Sequence, residues 1–465
     1  MEPILTTNNN FRGRIVNRMT PTIRHTHRRG SILVVTLIVV FALASMLLTL
    51  SHRVSVLANA SANTAAARQA DAIERGAEQN VLAILSQKLD SLDDLRESDF
   101  EQIRVGKGYY WIIRPDYGDS NLPRFGLVDE SAKLDLNTAG YAMLQQLSGV
   151  TEPLAGSVVD WRDPDDTPTG SGSESLAYAV KIPAYAAKNA PFESVEELLL
   201  VDGMTRDLLY GQAPSIIGTT TQSGNVFGGD RYIADGLFDD FTVWNIRPNT
   251  DKNGKTRIDI NDIRQRGRLR TLLRDKLGGS RGDQVANQLG NINFTDMFDM
   301  ARRAAMTAAE LALVEDSITT ATTQQLRGRI NVNAAPREVL LCLTPLTSAD
   351  VDALLANRDT SARTDERSAA WVYDVLREKA VGIGNRIAGQ GCQFSAEIVA
   401  ASGDGRAFKR VRIVVDVSGA SPRIVYRHDR TAMGWPLDPA ILKQWRRGGP
   451  ANGSTPVAAT LGVRQ

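Results

Sequence analysis

The sequence predicts an α+β protein. One long N-terminal helix starts as a transmembrane segment and then packs on a small antiparallel sheet, whose two halves are separated by a large, mostly α-helical insert. Three observations predict this. The run from Ser31 to Ser51 is 21 residues without a charge. Aromatic and β-branched stretches occur near residues 108–130 and again only near 392–430. Between them one motif occurs twice, as Leu134-Asp135-Leu136-Asn137-Thr138-Ala139 and as Ile330-Asn331-Val332-Asn333-Ala334-Ala335.

As a helix, the uncharged run is long enough to span a hydrocarbon core of roughly 30 Å. Six arginines (Arg12, Arg14, Arg18, Arg24, Arg28, Arg29) and one acid, Glu2, precede it, and only His52 and Arg53 follow before a polar stretch. That asymmetry predicts a single pass through the inner membrane, with a cytoplasmic N-terminus and a periplasmic body. A secretory signal has a shorter apolar region followed by a small-residue cleavage site. Two readings remain: a basic leader, residues 1–30, cut between Gly30 and Ser31, or an uncleaved signal anchor. Beyond the run, Ala66, Ala70, Ile73, Ala77, Val81 and Ile84 recur at steps of three and four. This is a helical stripe, with Arg68, Asp71, Arg75, Glu78 and Gln79 on the opposite face. One helix is predicted over 31–92, with 31–51 in lipid and the remainder amphipathic.

The first part of the sheet domain is predicted over 106–130. Gly108–Arg114 reads as a strand and Phe125–Glu130 as its hairpin partner across the turn residues Pro115–Asp119. The second part is predicted over 392–430, with strands near 392–400, 410–417 and 423–427. The insert then spans 131–391. A constant offset of 196 residues superimposes Asn137 on Asn333, Leu144 on Leu340, Leu147 on Leu343, Thr151 on Thr347 and Arg162-Asp163 on Arg358-Asp359. Two copies of one supersecondary unit are predicted, over 134–163 and 330–359. In each, the Asn is positioned to cap the first helix. Ser194 and Glu197 form a capping-box pattern further on. The segments 241–246 and 257–261 read as extended. The Gly/Pro/Ser/Ala-rich tail, 447–465, has the composition of a disordered segment.

Removing residues 1–30 turns 54 basic and 53 acidic residues into 48 and 52, so the body carries a net −4. Residues 131–210 hold 12 acids and five bases. The repeats resemble the helix-hairpin-helix of competence DNA receptors, but the hairpins at Ser148–Glu152 and Asp202–Asp207 lack the second glycine of a phosphate-gripping turn. Nucleic-acid affinity draws on counterion release, which this acidic surface does not supply. A scaffold role is favoured, with a DNA-uptake pilin as the alternative. The only cysteines, Cys342 and Cys392, could form a disulfide in an oxidising compartment. Three of the four histidines flank the membrane run, and no nucleophile, phosphate-loop or zinc spacing is present. The chain is therefore expected to be no enzyme. Acids are densest at Asp160-Trp161-Arg162-Asp163-Pro164-Asp165-Asp166, with Glu174 close behind. Carboxylates on a Pro/Gly-rich loop suit Ca²⁺, and equally suit a solvated acidic loop. Asn249–Gly254 copies half of an EF-hand loop but places Ile260 where the bidentate Glu belongs, so it reads as a turn.

Together these elements resemble general secretion pathway protein K, the minor pseudopilin K of type II secretion systems. The residues that carry the resemblance are the Gly30-Ser31 junction, Val35 in place of Glu at mature position 5, and the split sheet. Within the insert they are Asp135–Ala139, Asp160–Pro168, Pro191–Leu198, Gly203-Met204 and Ile330–Ala335. The resemblance implies a pilin-like fold, processing by prepilin peptidase, and a place at the tip of a periplasmic pseudopilus with minor pseudopilins I and J. Other pseudopilus subunits would lie below it. A Glu at position 5 would neutralise the N-terminal amine of the subunit above, and a tip subunit has none. The resemblance also implies calcium in the insert, with Asp163, Asp165, Asp166 and Glu174 as its ligands. The segment from Gly224 to Gln325 has no counterpart in the resemblance.

Overall fold

The computed structural model describes residues 31–87, 95–114, 125–211, 236–290, 292–358, 367–437 and 439–446. The leader with Gly30, the turn at 115–119 and the tail 447–465 lie outside them.

Ser31–Gln87 is one helix of 57 residues. Its first part exposes apolar side chains from Ile32 to Leu57 and is long and apolar enough to cross a membrane. The hydroxyls there bond back along the helix: Thr36 to the Leu33 carbonyl at 2.9 Å, Ser45 to Phe41 at 2.7 Å and Thr49 to Met46 at 2.9 Å. These three hydroxyls are thus satisfied without water, as a lipid environment requires.

From Ala65 onward the stripe behaves as its spacing predicts. Ala66, Ala70, Ile73, Ala77 and Val81 are buried, and Leu85 takes the place expected for the half-buried Ile84. Ile73, Ala77, Val81 and Leu85 pack on Tyr110, Ile112, Ile398, Val411 and Ile413 of the sheet. Glu78, assigned to the polar face, is instead buried. It accepts from Arg427 Nε at 2.6 Å, while Arg427 Nη2 reaches both Glu74 oxygens at 2.9 Å. Burial, with Glu78 alongside, pushes the Glu74 carboxyl up to about 7.

The sheet is antiparallel and runs in the order Ile103–Val105, Gly108–Ile113, Gln393–Ala401, Phe408–Asp416, Arg423–Asp429. Gly108–Ile113 pairs with Ile103–Val105, and Phe125 makes only a bridge to Ile113. The expected hairpin at 108–130 is therefore replaced by an earlier one. Val128–Asp129 pairs instead with the start of the central strand, Gln393–Ala401. Here the chain leaves the sheet and returns to it. Asp129 Oδ2 accepts from the Gly391 amide at 3.0 Å and from Asn331 Nδ2 at 2.7 Å, fastening both crossings. The sheet's other face buries Trp111 under Trp435 and Trp445. Trp445 comes from a helix, Pro439–Arg446, that strand patterning did not predict.

Among the described residues, the insert shows three copies of the unit where two were expected. In the first, Leu134–Asp135 pairs in parallel with Phe241–Thr242; in the third, Ile330–Asn331 pairs with Ile387–Ala388. Between them Ile258–Asp259 pairs with Ile318–Thr319 in the same sense. Asp135, Asp259 and Asn331 each accept from the amide two residues on, at 2.8, 2.9 and 2.9 Å. Asn137 and Asn261 then clamp a distant backbone with both amide atoms, Asn137 on Phe192 (3.0 and 2.7 Å) and Asn261 on Phe294 (3.0 and 2.8 Å). Asn333 donates to the Ser368 and Gly389 carbonyls at 3.2 and 2.8 Å.

This overturns the expected capping role. Gly140 and Pro336 occupy the N-cap positions, and the asparagines join the two ends of each unit. The equivalence continues downstream. Gly203 and Ala305 both have positive φ, 84° and 47°, and Thr205 and Thr307 cap the helices that follow. Much of the segment after Gly224 is therefore a repeat with a longer first helix, Arg266–Leu277, followed by Gly279–Leu289. Replacing Asn261 with alanine leaves the Phe294 amide and carbonyl without their partners. We expect a loss of about 1–3 kcal/mol, read as a shift in the urea midpoint at unchanged slope.

Three smaller expectations resolve here. Ser194 makes no side-chain cap, and Glu197 accepts instead from the Glu193 amide at 2.9 Å. Asp251 Oδ1 accepts from Asn253 N and Lys255 N at 3.0 and 2.8 Å, so Asn249–Gly254 is a turn. Cys342 and Cys392 are free thiols, not a disulfide. Cys342 lies in the insert core and donates to the Glu338 carbonyl at 3.3 Å, and burial pushes its thiol up to about 12.

Candidate metal centre

The helix Glu152–Arg162 buries Leu154, Ala155, Val158 and Trp161 in the insert core. Asp163-Pro164 ends it, because the residue before a proline is forced out of helical geometry. The chain then folds back over the helix it has just left. Contact is so close that a Cβ on Gly156 would lie 2.3 Å from the Thr169 carbonyl oxygen, and one on Gly172 would lie 2.1 Å from Asp160 Oδ2. Only glycine fits at either crossing. Asp160 pins the return by accepting from the Thr169 amide at 2.8 Å. An aromatic group beneath, Trp161 against Tyr178 at 5.3 Å and Tyr178 against Tyr185 at 5.3 Å, ties the loop to the rest of the first repeat.

This return brings oxygens of Asp163, Asp165 and Glu174 within 4.8 Å of one another. Of the four predicted ligands these three converge. Asp166 is partly engaged elsewhere, its Oδ1 accepting from Ser175 Oγ at 3.0 Å and Asn189 Nδ2 at 3.4 Å. Two residues that the sequence did not single out complete the wall: Asp160 and Asn189, the latter donating to the Asp165 carbonyl at 3.2 Å. Asp160 stood inside the acidic run and could have been found there. Nothing in the sequence marks Asn189.

The decisive feature is a surplus of acceptors. Asp160 Oδ2, Asp163 Oδ1, both Glu174 oxygens and Asn189 Oδ1 are buried without a hydrogen-bond donor. Glu174 is only 6% exposed and Asp160 0%. A buried carboxylate with neither donor nor counter-charge is costly. The nearby cations are committed: Lys181 to Asp202 at 2.6 Å, Lys188 to Glu197 at 2.8 Å, and Arg162 to the Leu136 and Ala139 carbonyls. Burial, followed by Asp160, Asp163, Asp166 and Asp165, pushes Glu174 up to about 7. Burial and its acidic neighbours also raise Asp163.

An all-oxygen donor set containing several carboxylates and an amide carbonyl fits a hard divalent cation such as Ca²⁺. Zinc prefers imidazole and thiolate, and neither lies in this group. The residues present therefore fit calcium. Replacing Gly172 with alanine drives a methyl group into Asp160. We expect a cost of about 1–3 kcal/mol, read by thermal unfolding in calcium, with a weaker calcium response.

Residues 124–217, which include this centre, match the family model described as type II secretion system (T2SS), protein K. Among solved structures, the chain is similar to the crystal structure of the GspK-GspI-GspJ complex from the enterotoxigenic Escherichia coli type 2 secretion system. The identity is 12% and the TM-score 0.40, over 78% of this chain and 96% of that one. No curated protein matches the chain.

Proposed function

We propose that this chain, which carries the protein K domain of the type II secretion system over residues 124–217, works as a minor pseudopilin of that system. The domain match is the observation that carries the reading. An N-terminal helix able to cross a membrane and an antiparallel sheet packed along its second part support it. In this role the protein is anchored in the inner membrane by residues 31–51 after prepilin peptidase cuts between Gly30 and Ser31. The body then lies in the periplasm and assembles with minor pseudopilins I and J at the pseudopilus tip.

The three-repeat insert suits a cap, since in this role its bulk beside the sheet would block a further subunit above. Val35 at mature position 5 fits the same place, since no amine waits above it to be neutralised. Calcium held by Asp163, Asp165 and Glu174, with Asp160, Asp166 and Asn189 around it, fixes the loop over the first repeat. The acidic surface of residues 131–210 supports a scaffold rather than a DNA-binding role. No catalytic function is assigned.

Coexpression with an active prepilin peptidase tests the reading. A mature chain beginning at Ser31, captured together with pseudopilins I and J from detergent extracts, is expected. An intact Met1 start beside a fully processed control, or cleavage without capture of either partner, would overturn it.

A further inference from the structure

We propose that a cavity where the second repeat meets the third binds a small phosphorylated solute. The cavity has a volume of about 330 Å³, at the low end of the roughly 300–1,000 Å³ typical of small-ligand sites. Four arginines line it, and the three that carry the argument come from different elements: Arg247 from the strand Ile246–Pro248, Arg257 beside Ile258–Asp259, and Arg329 beside Ile330–Asn331, with Arg367 the fourth. Lys252 and Lys276 stand in the same wall.

The acids that also line the cavity are already committed. Glu315 accepts the Ser368 hydroxyl and the amides of Ala369 and Ala370. Asp316 takes Arg257 Nη2 at 3.0 Å with one oxygen and the Lys252 amide at 2.8 Å with the other. Asp251 Oδ1 closes the turn described above. The arginines are less well served. Arg247 Nε is buried without a partner, and its Nη1 makes only a 3.4 Å contact to the Gln390 carbonyl. The Arg329 guanidinium donates to no described residue.

The guanidiniums also act on one another. Burial, then Arg247, pulls Arg257 down to about 10, and burial, then Arg257 and Arg247, does the same to Arg329. Arg257 is buried and already bonded to Asp316 and the Thr250 carbonyl, so the spare donors are those of the half-buried Arg247 and Arg329, and an anion between them completes the site. Planar forks approaching from three directions match the tetrahedral oxygens of a phosphate, which guanidinium binds in bidentate fashion. Ile260, Met297 and Leu313 supply an apolar wall for a small organic remainder. Neither Arg247 nor Arg257 lies in the protein K match, and the proposal rests on no part of the pseudopilin reading.

The test uses the full chain in detergent, with inorganic phosphate and glycerol 3-phosphate as probes in calorimetry and thermal unfolding. One saturable site is expected, with glycerol 3-phosphate the tighter ligand. Arg329→Gln and Arg247→Gln should each weaken it at least about tenfold while leaving the unliganded melting temperature unchanged or higher. Arg329→Lys, which keeps the charge but loses the fork, should also weaken it and guards against a folding defect in the glutamine variant. An equal response to sodium chloride at matched ionic strength or to citrate, or full affinity in the variants, would overturn the proposal. So would a response to phosphatidylglycerol vesicles alone.

Discussion

Replacing Glu130 with glutamine is expected to destabilise the protein by about 3–5 kcal/mol, the cost of breaking a buried ion pair by removing one partner. Glu130 sits on the 3₁₀ turn Glu130–Ala132, where the chain passes from the sheet into the insert. It is 1% exposed and Lys133 0%. Lys133 Nζ lies 3.1 Å from Glu130 Oε1, and Arg412 Nη2, from the strand Phe408–Asp416, lies 3.1 Å from the same oxygen. Thr242, in the first repeat's second strand, donates to Oε2 at 2.5 Å. One carboxylate thus joins sheet, entry turn and insert. Without it two buried cations face each other, with Asp239 as partner, 3.2 Å from Arg412 and 4.0 Å from Lys133.

The same geometry fixes the pH dependence. Burial works to raise the Glu130 carboxyl, but Lys133 and Arg412 outweigh it and hold the group down at about 2. A carboxylate lowered in the folded state adds stability above its unfolded value. That contribution is lost as pH falls from about 4.5 through about 2. Wild-type protein should lose stability more steeply over that window than E130Q, whose side chain does not titrate. Adding Lys133→Met to E130Q removes one of the stranded charges, so the double variant should be more stable than E130Q alone. Urea midpoints across pH read all three. A loss below about 1 kcal/mol for E130Q, the range of an exposed pair, would sink the account.

The fold was legible where a single periodicity spoke. The uncharged run forms a helix long and apolar enough to cross a membrane, the alanine stripe buries the face that its spacing predicts, and the long strands of the second half fall close to where their composition predicts. The third repeat was hidden for a physical reason. The first and third copies keep one spacing from the asparagine to the arginine, so one offset finds them. The middle copy keeps the asparagine clamp and the parallel strand pair but has a first helix of 12 residues against four and five, so no single offset aligns it. Asn261 looked like part of a strand because its partner, Phe294, is 33 residues away. Glu78 was misplaced because periodicity sorts residues by polarity, whereas its burial is decided by Arg427, almost 350 residues later. At the centre, three of four acids were legible as a local cluster. Asp160 stood in the same run, but Asn189 depended on which buried oxygens lack a donor, and that requires the folded loop.

Replacing Glu174 with glutamine should change stability in opposite directions with and without calcium. In chelator, wild-type protein holds Glu174 among Asp160, Asp163, Asp165 and Asp166 with no cation to offset them. The glutamine removes one charge from that group and brings a donor to oxygens that lack one. E174Q should therefore unfold at a higher temperature than wild type in chelator. In calcium the order reverses. Wild type gains about 2.7 kcal/mol when free calcium is a hundredfold above its dissociation constant, while E174Q, deprived of a buried carboxylate ligand, gains little. Asp166→Asn should keep more of the response, because Asp166 is already bonded to Ser175 and Asn189. Magnesium should not substitute, since it demands a near-ideal octahedron and gives up its water reluctantly. Four melting curves decide the matter. If E174Q melts below wild type in chelator and still responds to calcium, the acids are a solvated loop whose geometry Glu174 merely supports. If the curves cross, the surplus of buried oxygens is the signature of the ion.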